Sequence, residues 1–425
     1  MTDAIKDVIG IGFGPSNLAL AVAIHEHNAT RLSAEQLSHS YFERQPAFGW
    51  HRGMLIDGAT LQVSFIKDLA TMRNPASEYG FLSYLHSNGR LADFANQKSM
   101  FPSRIEFHDY LEWVAGKFEH LVEYDAEVIS LWPSPGGDHL EVIVNRVDQI
   151  VTRRAKNVVI AMGQEPALPE GAELGERVWH CAELMDRLRQ VPEEPHRAVV
   201  IGAGQSAAEV TEYLHRRFER IQIFSILHRY GYSVADNTPF VNQIFGPEAV
   251  DFFYDAPEHI KQMLLGYHRN TNYSVVDETL TEELYRRVYQ ERVRGEQRLR
   301  VLNATKLRRV RQDGPGPVSV DIENLLTGEV SSFDADLLIY ATGYKPIDPC
   351  IVLGDTARLC HRDTTDRLKV TRDYSLETGD HLSAGIYLQG GTEYAHGLSS
   401  QLLSTTAVRA GEIVQSIVER TEGNE

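Results

Sequence analysis

Short β-branched runs that end in glycine-rich turns, each followed by a helix-length stretch, set the pattern of this chain. Lys6 to Ile11 is such a run. It enters Gly10-Ile11-Gly12-Phe13-Gly14-Pro15-Ser16-Asn17 and gives way to Leu18 to His25, which reads as a helix. Strand, glycine turn and helix in that order is the context a dinucleotide-binding fingerprint requires. Pro15 has its φ preset for a first helical turn, and Gly12 and Gly14 leave room for a ligand that a β-carbon would block. The third glycine position is Asn17 here, which predicts looser packing of the helix on its strand. Ser40 to Phe42 reads as the next strand and ends in Glu43, where a carboxylate can accept from ribose hydroxyls. Glu43 stands further on than the usual ~20 residues, so an extra loop is expected in between.

The pattern returns downstream. Arg197 to Ile201 reads as a buried strand, Gly202-Ala203-Gly204-Gln205-Ser206-Ala207 as its turn, and Ala208 to Phe218 as its helix. This G-x-G-x-x-A form is often found where NADP is used. The preceding Gln190 to His196, rich in Pro and Glu, reads as a linker. Two more short strands end in related turns: Asn157 to Met162 leads into Gly163 with Pro166 behind it, and Leu337 to Tyr340 leads into Ala341-Thr342-Gly343-Tyr344. Both are expected to mark crossovers between two nucleotide folds. Thr279 to Arg292 carries Leu280, Leu284 and Val288 on one stripe, with Thr279 and Glu282 as a capping box, and reads as an amphipathic helix.

A chain of 425 residues has room for two to four domains. With 42% hydrophobic and 24% charged residues it reads as a folded enzyme rather than a disordered or fibrous chain. The net charge of -17 opposes binding to nucleic acid or to an anionic membrane, and no local basic patch is read from the sequence to offset it. Phosphate ligands must then be held by backbone amides and a few placed cations. Cys181, Cys350 and Cys360 are too few and too scattered for a disulfide framework or a structural zinc site. Met1 to Lys6 has no basic stretch leading into an apolar one, and no apolar run is long enough to span a bilayer. A cytoplasmic protein is expected.

Other features carry bland readings when taken singly. Lys67, flanked by apolar residues, reads as a lysine snorkelling from a half-buried helix. Asn242 and Asn272 read as turn or capping residues, and His396-Gly397-Leu398-Ser399-Ser400 as a loop entering a helix.

In combination they are more specific. Gly12-Phe13-Gly14-Pro15, Trp50-His51, Gln62 to Pro75, Phe101-Pro102-Ser103-Arg104, Thr238 to Phe245, Asn272 to Val276, Ala341-Thr342-Gly343-Tyr344 and His396-Gly397-Leu398-Ser399 occur in order along nearly the whole chain. Together they resemble the flavin-dependent L-ornithine N5-monooxygenases and L-lysine N6-monooxygenases, which begin hydroxamate siderophore synthesis. The resemblance implies an α/β fold with two dinucleotide-binding Rossmann-like domains, for FAD and NADPH, and a small, mostly helical substrate domain. The boundaries expected are 1–175 with 340–425 for FAD, 176–228 with 275–339 for NADPH, and 229–274 for the substrate insert.

The resemblance also implies roles. Lys67 pairs with the α-carboxylate of the substrate, which displaces its snorkelling reading, and Asn242 and Asn272 bind the amino acid. Ser399 and Ser400 lie in the C-terminal loop that approaches substrate and flavin, although the family often has serine where Gln401 stands here. FAD and NADPH are expected at Gly12, Gly14, Pro15, Ser16, Asn17, Glu43, Trp50, His51, Gln62, Arg104, Gly202, Gly204, Gln205, Ser206, Thr342, Gly343 and Leu398. Some members use an arginine near position 228 for the NADP 2′-phosphate. His228 stands there, and Arg229 beside it is assigned the role.

The implied reaction is N-hydroxylation of the terminal amine of L-ornithine, with O2, through a C4a-hydroperoxyflavin. The cofactor carries the hard step, so no catalytic side chain and no metal is expected. Lysine or a diamine is the alternative substrate, and a non-catalytic flavin or NADPH module the remote one. A disulfide reductase is disfavoured because no Cys-x-x-Cys pair exists. A homo-oligomer, tetramer or dimer, is expected from the resemblance.

Overall fold

In the computed structural model the described residues are 4–191, 194–312, 314, 316–422. Met1 to Asp3 of the expected start, and residues 192 and 193 of the Pro- and Glu-rich linker, lie outside them.

The opening strand Lys6–Ile11 sits in the middle of a seven-stranded sheet. It pairs in parallel with His39–Phe42 on one side and Ile150–Ile160 on the other. Gly385–Leu388 from the C-terminal part of the chain adds in parallel to Ile150–Ile160, while Ala126–Pro133 and Leu140–Arg146 continue the sheet as an antiparallel meander. The helix after the first turn begins at Pro15 and runs to Ala29, longer than the hydrophobic stretch alone suggested. Asn17 to Ile24 are all buried, because Thr406–Glu422 packs against this helix. A helix apolar on all sides needs such cover.

The second turn starts a separate sheet of five parallel strands, ordered Leu299–Leu302, Gln222–Ile226, Arg197–Ile201, Leu337–Tyr340, Val178–His180. Its helix, Gln205–Arg217, packs with Glu278–Arg294. The stripe of Leu280, Leu284 and Val288 joins the core beneath this sheet. The capping box expected at Thr279 and Glu282 is not the cap: Asp277 is, its side chain accepting from Leu280 N at 3.1 Å. The backbone N–H of Asp277 is itself taken up by Gln205 Oε1, which fixes the helix start at Glu278.

The two crossover turns meet. Gln164–Pro166, after Gly163, pairs antiparallel with Tyr344–Pro346, after Gly343, so the chain passes between the two sheets along one short ribbon. Between the second turn and the ribbon the chain forms a run of short helices, Val241–Phe245, Pro247–Asp255, Glu258–Tyr267 and Arg269–Asn272. A three-stranded antiparallel sheet, Thr305–Arg311, Val318–Asn324 and Val330–Ala335, follows. Among the described residues no helix is long and apolar enough to cross a membrane.

Candidate active site

One cavity of about 2240 Å³ runs from the first glycine turn to the second. At its first end Gly12 has φ +80°, and a β-carbon there would meet the Ala161 carbonyl oxygen at 2.5 Å. The chain itself therefore requires glycine at this position. Gly14 differs. A β-carbon on it would meet nothing within 4 Å, so the space over Gly14 is open to the cavity and available to a ligand lying on the backbone. Glu43 is nearly buried and accepts from Phe13 N at 2.7 Å and Gln45 N at 2.9 Å. It clamps the turn from the end of the next strand while still lining the cavity.

Asn17 does the opposite of loosening the helix. Fully buried, its Nδ2 donates to the carbonyls of Gly12 at 2.7 Å and Ile11 at 3.2 Å, and its Oδ1 accepts from Gln389 at 3.2 Å. The amide replaces close glycine packing with hydrogen bonds to the strand, and it turns away from the cavity.

At the other end Gly202 has φ +147°, and a β-carbon there would meet the Ala341 carbonyl oxygen at 2.2 Å. Gln205 and Ser206 line the cavity at the start of the helix. Between the ends, Ser103 caps the helix Arg104–Lys117, and Arg104 extends from its first turn to Glu209 on the helix of the second turn. Both guanidinium nitrogens donate to the carboxylate at 2.8 Å, and Arg104 Nη1 also donates to the Met54 carbonyl. Arg104 lines the cavity but is largely committed to this pair.

His51, in the left-handed region at φ 50°, packs edge-on against Trp50 and Tyr344 and lines the cavity. Burial, and then the Arg104 charge, push its imidazole down to about 4, so the ring is neutral near pH 7. Gln62, Thr342 and Gly343 also lie on the wall, Thr342 donating from Oγ1 to the Ala167 carbonyl.

Lys67 lies in a turn-rich segment rather than on a helix. Its ammonium stands 6.0 Å from the centroid of the Phe245 ring and pairs with no carboxylate among the described residues. Burial holds its pKa below the ordinary lysine value. Asn242, from the same one-turn helix as Phe245, and Asn272 line the cavity that Lys67 also lines. Tyr273, next to Asn272, donates from Oη to Glu393 at 2.8 Å and so ties this segment to the C-terminal part of the chain.

The C-terminal loop is placed differently from expectation. Leu398, Ser399 and Ser400 are buried behind the wall, while Gln401, Leu402, Leu403, Ser404 and Thr406 form it. Gly397, at φ 78°, turns the chain so that Leu398–Gln401 coils inward and Thr405 Oγ1 donates to the Ser399 carbonyl. Arg229 is likewise not part of the wall, donating to the carbonyl of Ser274 at 3.1 Å, whereas Ser274 and His228 line the cavity.

A local basic patch does exist. Lys306, Arg308 and Arg309 line the cavity from strand Thr305–Arg311, where a register shift between Leu307 and Arg309 breaks the alternation of faces. Lys306 and Arg308 share Glu323, at 3.1 Å and 2.8 Å. The sequence signal was the basic run 306–311, which strand periodicity alone would divide between two faces.

The L-lysine 6-monooxygenase/L-ornithine 5-monooxygenase family matches residues 4–346. The chain belongs to that family. An L-ornithine N(5)-monooxygenase of Burkholderia cepacia is 41% identical over 409 residues, which is 93% of this chain and 90% of that protein. The Kutzneria sp. 744 ornithine N-hydroxylase KtzI, solved with reduced FAD, NADP+ and L-ornithine, is 45% identical with a TM-score of 0.94, covering 98% of this chain and 100% of that one. An L-lysine 6-monooxygenase of Pseudomonas syringae is 29% identical with a TM-score of 0.84, covering 98% and 99%. Against this family the Cys-x-x-Cys chemistry of a reductase has no counterpart: Cys181, Cys350 and Cys360 are all free thiols.

Proposed function

We propose that this member of the family is an FAD- and NADPH-dependent monooxygenase that hydroxylates the δ-amine of L-ornithine to N5-hydroxy-L-ornithine, for siderophore or related biosynthesis. The observation that carries this reading is the half-buried ammonium of Lys67, without a carboxylate partner among the described residues, beside the Phe245 ring of the short helix that bears Asn242, in the cavity that Asn272 also lines. A cation without a counter-ion in a cavity wall suits an anionic end group, here an α-carboxylate. Greater identity to ornithine enzymes than to the lysine enzyme supports ornithine.

The residues present fit the cofactors. The uncovered backbone at Gly14 and the helix N-terminus at Pro15 and Ser16 suit the diphosphate of FAD, and Gly202, Gly204, Gln205 and Ser206 suit that of NADPH. When bound, FAD reduced by NADPH supplies the activation of O2. The protein holds the substrate in line. Lys67 fixes the carboxylate end, so the reach of the chain decides where the amine lies; a misplacement of about 1 Å can cost on the order of a hundredfold in rate. That makes the site a ruler, which separates ornithine from the longer lysine. The neutral ring of His51 and the aromatic faces of Trp50 and Tyr344 help keep water from the same space.

The reading includes a cytoplasmic, homo-oligomeric enzyme and the division 1–175 with 340–425, 176–228 with 275–339, and 229–274. The two sheets and the run of short helices support that division. Because Ser404 and Thr406 rather than Ser399 or Ser400 line the cavity, they are the C-terminal hydroxyls available to a ligand in it.

The test is hydroxylamine formation with NADPH and FAD, offered ornithine, lysine and putrescine in turn. Ornithine should give product at least tenfold faster than lysine, in line with the discrimination one methylene provides. Putrescine, without a carboxylate, should give the least. Equal rates with all three would sink the ruler, and NADPH oxidation with no hydroxylamine would sink the activity.

A further inference from the structure

Behind the first glycine turn stands a buried arginine that the catalytic reading leaves unused. Arg409, on the C-terminal helix Thr406–Glu422, is 2% exposed. Its Nη2 donates to Ser16 Oγ at 3.4 Å and to Thr406 Oγ1 at 3.3 Å, its Nε to Gln389 Oε1 at 3.4 Å, and its Nη1 to the Ser400 carbonyl. Gln389 in turn donates to the Ser16 carbonyl at 3.1 Å and to Asn17 Oδ1 at 3.2 Å. Among the described residues Arg409 pairs with no carboxylate. Glu412, three positions on along the helix, is engaged by Arg372 through both oxygens.

A guanidinium buried among neutral acceptors is costly unless an anion comes to it. Arg409 does not line the cavity, but Ser16 does, beside Gly14 and at the positive end of the helix Pro15–Ala29. We propose that Arg409 is the buried counter-charge for the diphosphate of the dinucleotide bound at this turn, acting through the Ser16 hydroxyl as a positioning residue. The same guanidinium holds the Ser400 carbonyl, and Ser400 precedes the wall segment 401–404. Occupation of the turn and placement of the C-terminal wall are thereby coupled through one side chain. The proposal rests on the reading of the first turn as the FAD site.

The test uses full-length protein stripped of flavin and refilled with FAD, or with riboflavin, which lacks the diphosphate. Arg409→Met should weaken FAD binding by about tenfold or more, the scale of a charge-assisted hydrogen bond, and leave riboflavin binding unchanged. Flavin-free Arg409→Met should melt no lower than flavin-free wild type, since an uncompensated charge has gone, while the rise in melting temperature on adding FAD shrinks. Arg409→Lys should keep a larger part of that rise than Arg409→Met. Equal losses for FAD and riboflavin, an unchanged FAD affinity, or an equal fall in melting with and without flavin would overturn the role. Should Arg409→Met not fold, Arg409→Lys decides by the same comparison: a partial loss of FAD affinity with riboflavin affinity kept supports the role, and its absence removes it. Wild-type protein that takes up no FAD would instead defeat the reading of the turn.

Discussion

The first glycine turn is braced by polar groups gathered from its own sheet and the helix laid over it: Asn17 beneath, Glu43 at the side, and Gln389 and Arg409 behind. The second turn is braced from elsewhere. Gln205 reaches the start of another helix at Asp277, Glu209 is held by Arg104 from the first fold, and a β-carbon on Gly204 would come within 3.3 Å of Ser274 Cα. Similar strand-turn-helix patterns are thus supported by a self-contained shell in one case and by contacts between segments in the other. The first is held within one fold, by its own sheet and by C-terminal residues packed on it. The second depends on how the rest is seated.

The largest effect should separate two glycines of the first turn. Gly12→Ala places a β-carbon against a carbonyl at positive φ, which should cost about 3 kcal/mol or more and show as a large fall in melting temperature even without flavin. Gly14→Ala should melt like wild type in the flavin-free form yet lose FAD on gel filtration, because its methyl group enters only ligand space. Equal behaviour of the two variants would break the distinction between a glycine the chain needs and one the ligand needs.

A smaller effect is expected at the second turn. Glu209→Gln leaves Arg104 without its counter-charge across the two folds. The KM for NADPH should rise about tenfold while FAD content stays full. A loss of FAD at the same time would mean that the two turns are not supported independently.

The smallest effect concerns pH. Lys67 is charged only below a pKa that burial holds under the ordinary lysine value, so carboxylate binding is present below that pKa and lost as pH rises through it. The substrate amine, near ~10.4, gains its neutral form in the opposite direction. The kcat/KM for ornithine should rise above neutral pH and then fall, and Lys67→Arg should move the falling limb beyond the measured range. A falling limb that stays put in Lys67→Arg would remove Lys67 from the carboxylate.

Much of the fold was legible because local rules governed it. The strands Lys6–Ile11, Arg197–Ile201 and Leu337–Tyr340 begin and end where β-branched runs meet their turns. Lys67, Asn242 and Asn272 were legible as a group only through a family resemblance, since nothing in their spacing says that they line one cavity. Among the points that escaped, three are instructive. Asn17 was read by what it lacks, a glycine's small size, rather than by the hydrogen bonds its amide makes to strand carbonyls. Ser399 and Ser400 were placed by motif, but the inward coil after Gly397 gives the wall to Ser404. Arg409 left no signal, because an arginine in an amphipathic helix usually faces solvent and its burial depends on a partner helix nearly four hundred residues earlier.

The sequence by itself determined the two glycine turns and the strands that feed them. Those features follow from φ preferences and hydrophobic period, which act over a few residues. Only the tertiary structure decided which polar groups face the cavity and which are spent holding it together, as at Arg229, Asn17 and Arg409. The reason is that burial of a polar group is settled by partners distant along the chain, and each must find a hydrogen bond where it is placed.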